Sequence, residues 1–259
     1  MIIYQFDGSL TGLLSCIFRA FQFKQFEVQL ALEHQVQDSL FAESVVVASH
    51  EQQAQRVWKG LTQKLSSEGI KRFHYTFLSE QLIAFQHLFN FAIYVFQSPF
   101  SIEKNYGHAD VLGVSQWTKQ VGREKHRMEA FVRFKKTQEG LFISLVRPDF
   151  NVLPLIEKHF KARYQDQKWL IYDEKRHYGI YYDLNQIHQV ELDASTLDKN
   201  IENGFSQDFS LELDENEALY DQLWKDYFKS VNIEARNNIK LHIQYVPRRY
   251  WRYMNEKIL

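Results

Sequence analysis

Several stretches of the chain repeat apolar residues every three or four positions, which is the spacing of an amphipathic helix. The clearest stretch begins at Ser79 and stops at Pro99, and its apolar positions are Leu82, Phe85, Phe89, Ile93 and Phe96. The same spacing predicts further helices over 10–23, 50–66, 109–130, 152–164, 215–230 and after Arg236. Each of these helices is expected to bury its apolar face in a core.

Other stretches carry the patterns of strands. Residues 2–6 and 44–49 are short runs rich in β-branched residues, as in buried strands. Apolar and polar residues alternate from Val132 to Lys135, and after a turn an apolar run returns at 141–146, which predicts an antiparallel hairpin. Two further runs around a turn in 169–192 predict a second hairpin. We therefore predict an α+β fold in which two central antiparallel hairpins, at about 131–147 and 169–192, pack with N- and C-terminal helices.

The chain is predicted to be a single compact unit over 1–259, because 10 Gly and 4 Pro leave little material for linkers. Two lobes are distinguished within it, a mostly helical lobe over 1–108 and a mixed lobe of sheet and helix over 109–259. The ranges 24–43 and 98–108 show no pattern that assigns an element.

Hydrophobic runs are too short for a membrane protein. No run approaches the roughly 18 apolar residues of a spanning helix, and the N-terminus lacks the features of a signal peptide. We therefore predict a cytoplasmic protein with no membrane partner. Cys16 is the only cysteine, so an internal disulfide is excluded, and its apolar neighbours predict a core position, with a reactive thiol as the alternative.

A net charge of −1 hides strong segregation of charge along the chain. Residues 191–221 contain ten acids and one Lys, whereas residues 235–255 contain five bases and no acid. The densest basic segment is VGREKHRMEAFVRFKK at 121–136, with six Lys or Arg, one His and two Glu. Segregation of this kind is typical of solvated faces and also of surfaces that bind polyanions.

Helical geometry places Glu124 on the apolar stripe of this segment. Its neighbours on the stripe are Val114, Trp117, Val121, Met128 and Phe131. A carboxylate removed from water needs a cationic or multiply hydrogen-bonded partner from elsewhere in the fold. Glu124 is therefore predicted to form a salt bridge with another element, or to act as a catalytic acid or base with a raised pKa.

The opposite face of the same helix is basic. Lys119, Arg123 and His126 point outward, Arg127 lies on the flank, and the following hairpin adds Arg133. Clustered bases of this type bind phosphates by releasing counterions. The alternative is an ordinary solvated helix face.

A second candidate is the C-terminal segment PRRYWRY at 247–253, which interleaves arginines with aromatic residues. Arg248, Arg249, Tyr250 and Trp251 can stack on bases and grip phosphates. They can equally anchor the C-terminal segment, with the indole buried and the arginines bridging to acids.

Two further segments combine basic, aromatic and acidic groups. The hairpin at 169–183 places Asp173 and Arg176 among tyrosines, and the helix at 152–164 carries His159 and Arg163. Asn151 is in position to cap that helix. Packing of the aromatic sheet face and complementarity to the helix dipole are the alternatives to nucleic-acid binding here.

No sequence signature identifies a metal or a cofactor. No two histidines lie three or four apart, one cysteine cannot form a thiolate cluster, and the glycine-rich phosphate-binding motifs are absent. We therefore predict no metal and no cofactor. The catalytic residues stay unknown, and the candidates for acid–base chemistry are Glu124, His126, His159 and Asp173.

Four groups of motifs give the chain a family resemblance. They are YQFDGSLTGLLSCIF at 4–18, VGREKHRMEAFVRF at 121–134, the series HFKARY, WLIYD, KRHYGIYYD and VELD, and WKDYFKSVNIEARNN with PRRYW. In these motifs the chain resembles a bacterial DNA metabolism or DNA repair family, a domain of unknown function that accompanies a radical-SAM DNA repair protein. Some relatives in that family are fused to a uracil-DNA-glycosylase-like domain.

The resemblance implies an accessory protein of DNA metabolism or repair whose partners are DNA and a radical-SAM DNA repair protein. It implies no reaction of the chain's own. The nucleic-acid-binding candidates are Arg123, Arg127, Arg133, Arg163, Arg176, Arg248, Arg249, Tyr250 and Trp251. Two alternatives stay open, a DNA-processing enzyme with a carboxylate and histidine site and a protein–protein interaction module.

Overall fold

The N-terminal part of the chain contains a short parallel sheet. The computed structural model describes residues 2–33, 43–138, 140–191, 214 and 246–254. The chain divides into two compact units, unit 1 over Met1–Arg123 and unit 2 over Glu124–Leu259.

In unit 1, strand β1 (Ile2–Phe6) lies between β2 (Val28–Leu32) and β3 (Glu43–Val46), and both pairings are parallel. Helix α1 (Leu10–Phe23) connects β1 to β2. Its first turn is capped by Ser9, whose Oγ accepts the Gly12 N–H at 2.9 Å.

Three helices, and a fourth that continues into unit 2, follow this sheet. They are α2 (Glu51–Lys64), α3 (Ser67–Phe77), α4 (Leu82–Gln97) and α5 (Ala109–Phe131). The periodic apolar face predicted for α4 packs against the sheet, where Phe85 contacts Phe6 and Phe89 contacts Tyr4 in edge-to-face geometry. All four rings are buried, and burying one such side chain contributes about 1.5–3 kcal/mol.

Unit 2 is built on a five-stranded sheet. Its strands are β4 (Lys135–Lys136), β5 (Phe142–Val146), β6 (Trp169–Asp173), β7 (Tyr178–Tyr182) and β8 (Ile187–Glu191), in that spatial order. Neighbouring strands are antiparallel except for β5 and β6, which are parallel and are connected by helix α6 (Leu153–Arg163). A 3₁₀ helix covers Arg248–Tyr253.

The α+β prediction is confirmed, and so are the two antiparallel hairpins. Three features were not predicted: β2, α3 and the parallel pairing of β5 with β6. The expectation that Asn151 caps α6 is wrong, since the N-cap is Val152 and the Asn151 Oδ1 instead accepts the Tyr178 hydroxyl. The helix predicted at 215–230 lies outside the described residues. Of the range after Arg236 the structure describes 246–254, where a 3₁₀ helix covers Arg248–Tyr253.

Within the described parts of the chain, no helix combines the length and the apolar character needed to cross a bilayer.

Candidate functional site

Helix α5 separates its buried and exposed residues as its sequence pattern predicts. Val121, Glu124 and Met128 are buried. Arg123 and His126 are exposed on the other side, as is Lys119 one turn before them. The exposed residues of this face, which are Leu112, Gln116, Lys119, Arg123, His126 and Ala130, include no acid.

A second polar region in unit 2 follows from the parallel pairing of β5 and β6. The carboxyl ends of parallel strands meet at one edge of a sheet, and here Val146 lies opposite Asp173. Residues 147–152, called here the 147–152 loop, leave β5 at this edge and enter α6. In parallel α/β units ligands bind at this edge, so its side chains are the natural candidates for a site.

Charged side chains hold the backbone of this loop at several points. The Asp149 N–H donates to the Glu124 Oε1 at 3.0 Å. The Asp149 carbonyl accepts from the Lys175 Nζ at 2.9 Å and from the Arg176 Nη2 at 3.1 Å. Arg176 also donates through Nη1 to the Pro148 carbonyl at 3.2 Å. Hydrogen bonds that involve charged groups are the stronger class, so these contacts stabilise the conformation of the loop.

Glu124 is only 1% exposed, and its carboxylate binds the loop directly by a hydrogen bond. Its Oε2 accepts from the Arg249 Nη2 at 2.9 Å and from the hydroxyl of the buried Tyr250. Arg127 lies one turn away on α5, with its Nη1 3.9 Å from the same oxygen. The prediction that Glu124 pairs with a cation from another element is confirmed.

The phenol of Tyr250 shares in this arrangement. Burial, with the neighbouring Glu124 carboxylate adding to it, raises the pKa of Tyr250 well above its ordinary value. The ring also packs 5.4 Å from the Phe131 ring, so in the structure it belongs to the interior of unit 2.

Asp173 supports the loop from the end of β6. The carboxylate is buried and accepts the Arg176 Nη1 at 2.7 Å and the Lys175 N–H at 2.9 Å. The Asp173 carboxylate thereby holds Arg176 in position to donate to the loop carbonyls, and 9% of the Arg176 side chain is exposed.

The two histidine candidates meet at a different carboxylate. The Nδ1 atoms of His126 and His159 lie 3.9 and 3.8 Å from the Glu129 side chain, which also pairs with Lys125. His126 is 85% exposed. Glu124 and Asp173 thus converge on the 147–152 loop, and the histidines do not.

The remaining basic candidates lie at other places in unit 2. Arg133 donates to the Ala130 carbonyl at 2.8 Å, and Arg163 contacts the Tyr164 hydroxyl at 3.3 Å. In the 3₁₀ helix the Arg248 guanidinium lies 5.8 Å from the Trp251 ring centre.

Asp149 and Lys175 are the site residues that sequence reasoning missed. Both contact residues that stand far away in the chain, so no local spacing marks them. An available signal was the position of Asp149 just after a buried strand, where the chain turns towards a helix. Among the described residues, no group of three or more His, Cys, Asp or Glu is arranged to hold a metal ion.

Comparison with known proteins gives one family match. The model of a domain of unknown function, DUF4130, matches residues 83–256, a range that contains α5, the 147–152 loop and the 3₁₀ helix. The chain matches no curated protein and no solved structure.

Proposed function

We propose that this chain, which belongs to the DUF4130 family, is an accessory protein of DNA metabolism or repair that binds nucleic acid through a basic surface. On this proposal it works with a radical-SAM DNA repair protein. In relatives that are fused to a uracil-DNA-glycosylase-like domain, the domain that corresponds to this chain would act next to base-excision chemistry.

The observation that carries the proposal is the exposed face of α5. Lys119, Arg123 and His126 lie along it, and its exposed residues include no acid, while the half-buried Glu129 lies 3.9 Å from His126. A nucleic-acid strand presents a regular line of phosphates, and each base that neutralises a phosphate releases bound counterions. Two cations with an imidazole beside them on one helix suit this contact whatever the base sequence is.

The 147–152 loop gives further support. Lys175 is exposed beside the loop, and the side chain of Arg249 is 41% exposed. Next to them, Arg248 stacks over the half-buried Trp251, and an arginine paired with an indole is suited to hold an unpaired base. In this proposal the buried Tyr250 positions Arg249 and does not itself stack on a base.

The resemblance in the sequence motifs supports the DNA-linked role and the radical-SAM partner. Arg123 and His126 of the α5 face belong to the motif VGREKHRMEAFVRF, and the Arg248 to Trp251 segment belongs to PRRYW. The polar contacts described above therefore involve the motifs that carry the resemblance.

The test is the affinity of the full chain for fluorescein-labelled single-stranded and duplex DNA, measured by anisotropy over a range of salt concentrations. Arg123→Glu should weaken binding to both probes by roughly tenfold at low salt and make the salt slope flatter by about one. Arg127 is unsuitable for charge reversal, because it lies 3.9 Å from the buried Glu124.

Lys104→Glu is the matched control, since Lys104 is exposed, lies outside α5 and undergoes the same charge change. Its salt slope should equal that of the wild type. Equal affinities of the Arg123→Glu variant and the wild type would reject this face as the binding surface.

A further inference from the structure

The contact between Asp149 and Arg249 differs from the other contacts of the 147–152 loop. The Asp149 Oδ2 lies 2.8 Å from the Arg249 Nη2, and 49% and 41% of the two side chains are exposed. The charged side chains of Glu124, Lys175 and Arg176 bind the loop through its backbone, and the half-buried Asn151 side chain accepts the Tyr178 hydroxyl.

The Asp149 carboxylate is not needed to hold the loop. The Asp149 backbone is already fixed by Glu124, Lys175 and Arg176. Within the described residues, the only partner of the carboxylate is Arg249. Losing this carboxylate therefore leaves the loop its hydrogen bonds.

Arg249 has unused capacity for an anion. Its Nη2 donates to the Glu124 Oε2 at 2.9 Å and to the Tyr250 hydroxyl at 2.7 Å. The Asp149 Oδ2 forms an ion pair with the same Nη2 at 2.8 Å. Within the described residues the Arg249 Nε and Nη1 have no protein acceptor, so each can donate a charge-assisted hydrogen bond to a phosphate oxygen.

We infer that Asp149 is an intramolecular competitor for phosphate at Arg249, so that its carboxylate restrains a phosphodiester-binding site at the 147–152 loop. This inference rests on the proposed function. A phosphodiester would take the outward side of the guanidinium while Glu124 keeps the inward side. Lys175, whose Nζ is held at the Asp149 carbonyl, would provide a second cation. The Asp149 carboxylate repels the approaching phosphate and lowers the affinity.

The inference predicts that removing the Asp149 carboxylate tightens DNA binding. Removing a purely structural salt bridge would not have this effect. Asp149→Asn should bind the same labelled DNA probes about two- to fivefold more tightly, the factor expected when one half-exposed ion pair no longer competes. Its salt slope should become steeper by up to about one, because one more phosphate contact forms.

The matched control is Asp166→Asn. Asp166 is also exposed, but it precedes β6 and so lies at the opposite edge of the parallel pair. The same change of charge there should leave the affinity unchanged. Equal tightening by both variants would mean a general effect of net charge and would overturn the inference.

A double-mutant cycle locates the effect on Arg249. In an Arg249→Gln background, Asp149→Asn should no longer tighten binding. If thermal unfolding shows that Arg249→Gln does not fold, the comparison of Asp149→Asn with Asp166→Asn decides alone.

The outcomes separate the two proposals. Wild-type binding that Arg123→Glu weakens and Asp149→Asn does not tighten overturns the inference and leaves the proposed function standing. Absence of binding by the wild type and by Asp149→Asn at low salt overturns both.

Discussion

The Arg249 Nη2 lies 2.9 Å from the Glu124 Oε2, although 125 positions separate the two residues in the chain. This pairing explains how α5 tolerates a carboxylate on its apolar face. The charge is removed from water, but it accepts hydrogen bonds from Arg249, from the Tyr250 hydroxyl and from the Asp149 N–H. Paired and hydrogen-bonded in this way, a buried carboxylate no longer bears its full desolvation cost.

Replacing Glu124 with Ala should lower the free energy of unfolding by about 2–4 kcal/mol, because it leaves the Asp149 N–H and the Tyr250 hydroxyl without their acceptor. Urea unfolding followed by circular dichroism measures this loss. Glu124→Gln is the matched control, since it keeps an acceptor oxygen and should be less destabilising. An Ala variant as stable as the wild type would contradict the assigned role.

Gly179 and Gly122 should respond in opposite directions to the same substitution. A Cβ at Gly179 in β7 would lie 2.9 Å from the Ile171 carbonyl oxygen, so Gly179→Ala should destabilise the chain by about 1–3 kcal/mol. A Cβ at Gly122 in α5 meets only Tyr75, at 4.0 Å, so Gly122→Ala should stabilise it by about 0.5–1 kcal/mol. Thermal unfolding of both variants checks the pair, and a stable Gly179→Ala protein would mean that the β6–β7 packing is looser than described.

The buried thiol of Cys16 should make stability fall at alkaline pH. Burial, with the Asp7 carboxylate adding to it, raises the pKa of Cys16 to about 12. The unfolded chain ionises this thiol at about pH 8.5, so its contribution is fully present below that pH and is lost as the pH rises towards the folded value.

Between pH 8 and pH 10 the wild type should therefore lose about 2 kcal/mol more of its free energy of unfolding than Cys16→Ala does. Urea unfolding of both proteins at the two pH values measures the difference. The contributions of other groups that titrate in this range are the same in both proteins and cancel in the comparison. Equal losses would show that the thiol reaches water in the folded state.

The sequence predicted elements well where one periodic pattern was long. The apolar face of α4 and the split between Glu124 and Arg123 on α5 follow from helical geometry alone. Cys16 is also a buried core residue, as predicted. By contrast, α3 is only 11 residues long and has a single fully buried aromatic residue, Phe73, so its periodic signal was too short to detect.

Long-range pairing accounts for what could not be predicted. The apolar character of β5 and β6 indicates strands but does not say whether they run parallel, and that choice creates the edge at which the 147–152 loop lies. Asp149 and Arg249 carry no local signal of each other, since their contact exists only once the sheet and the 3₁₀ helix have formed.

The salt dependence of DNA binding by the wild-type chain tests the central claim most directly. The account predicts that the logarithm of the association constant falls linearly with the logarithm of the salt concentration, with a slope of about −3 on duplex DNA for three or four phosphate contacts. Absence of binding at low salt, or an affinity that does not change with salt, would contradict a basic nucleic-acid-binding surface.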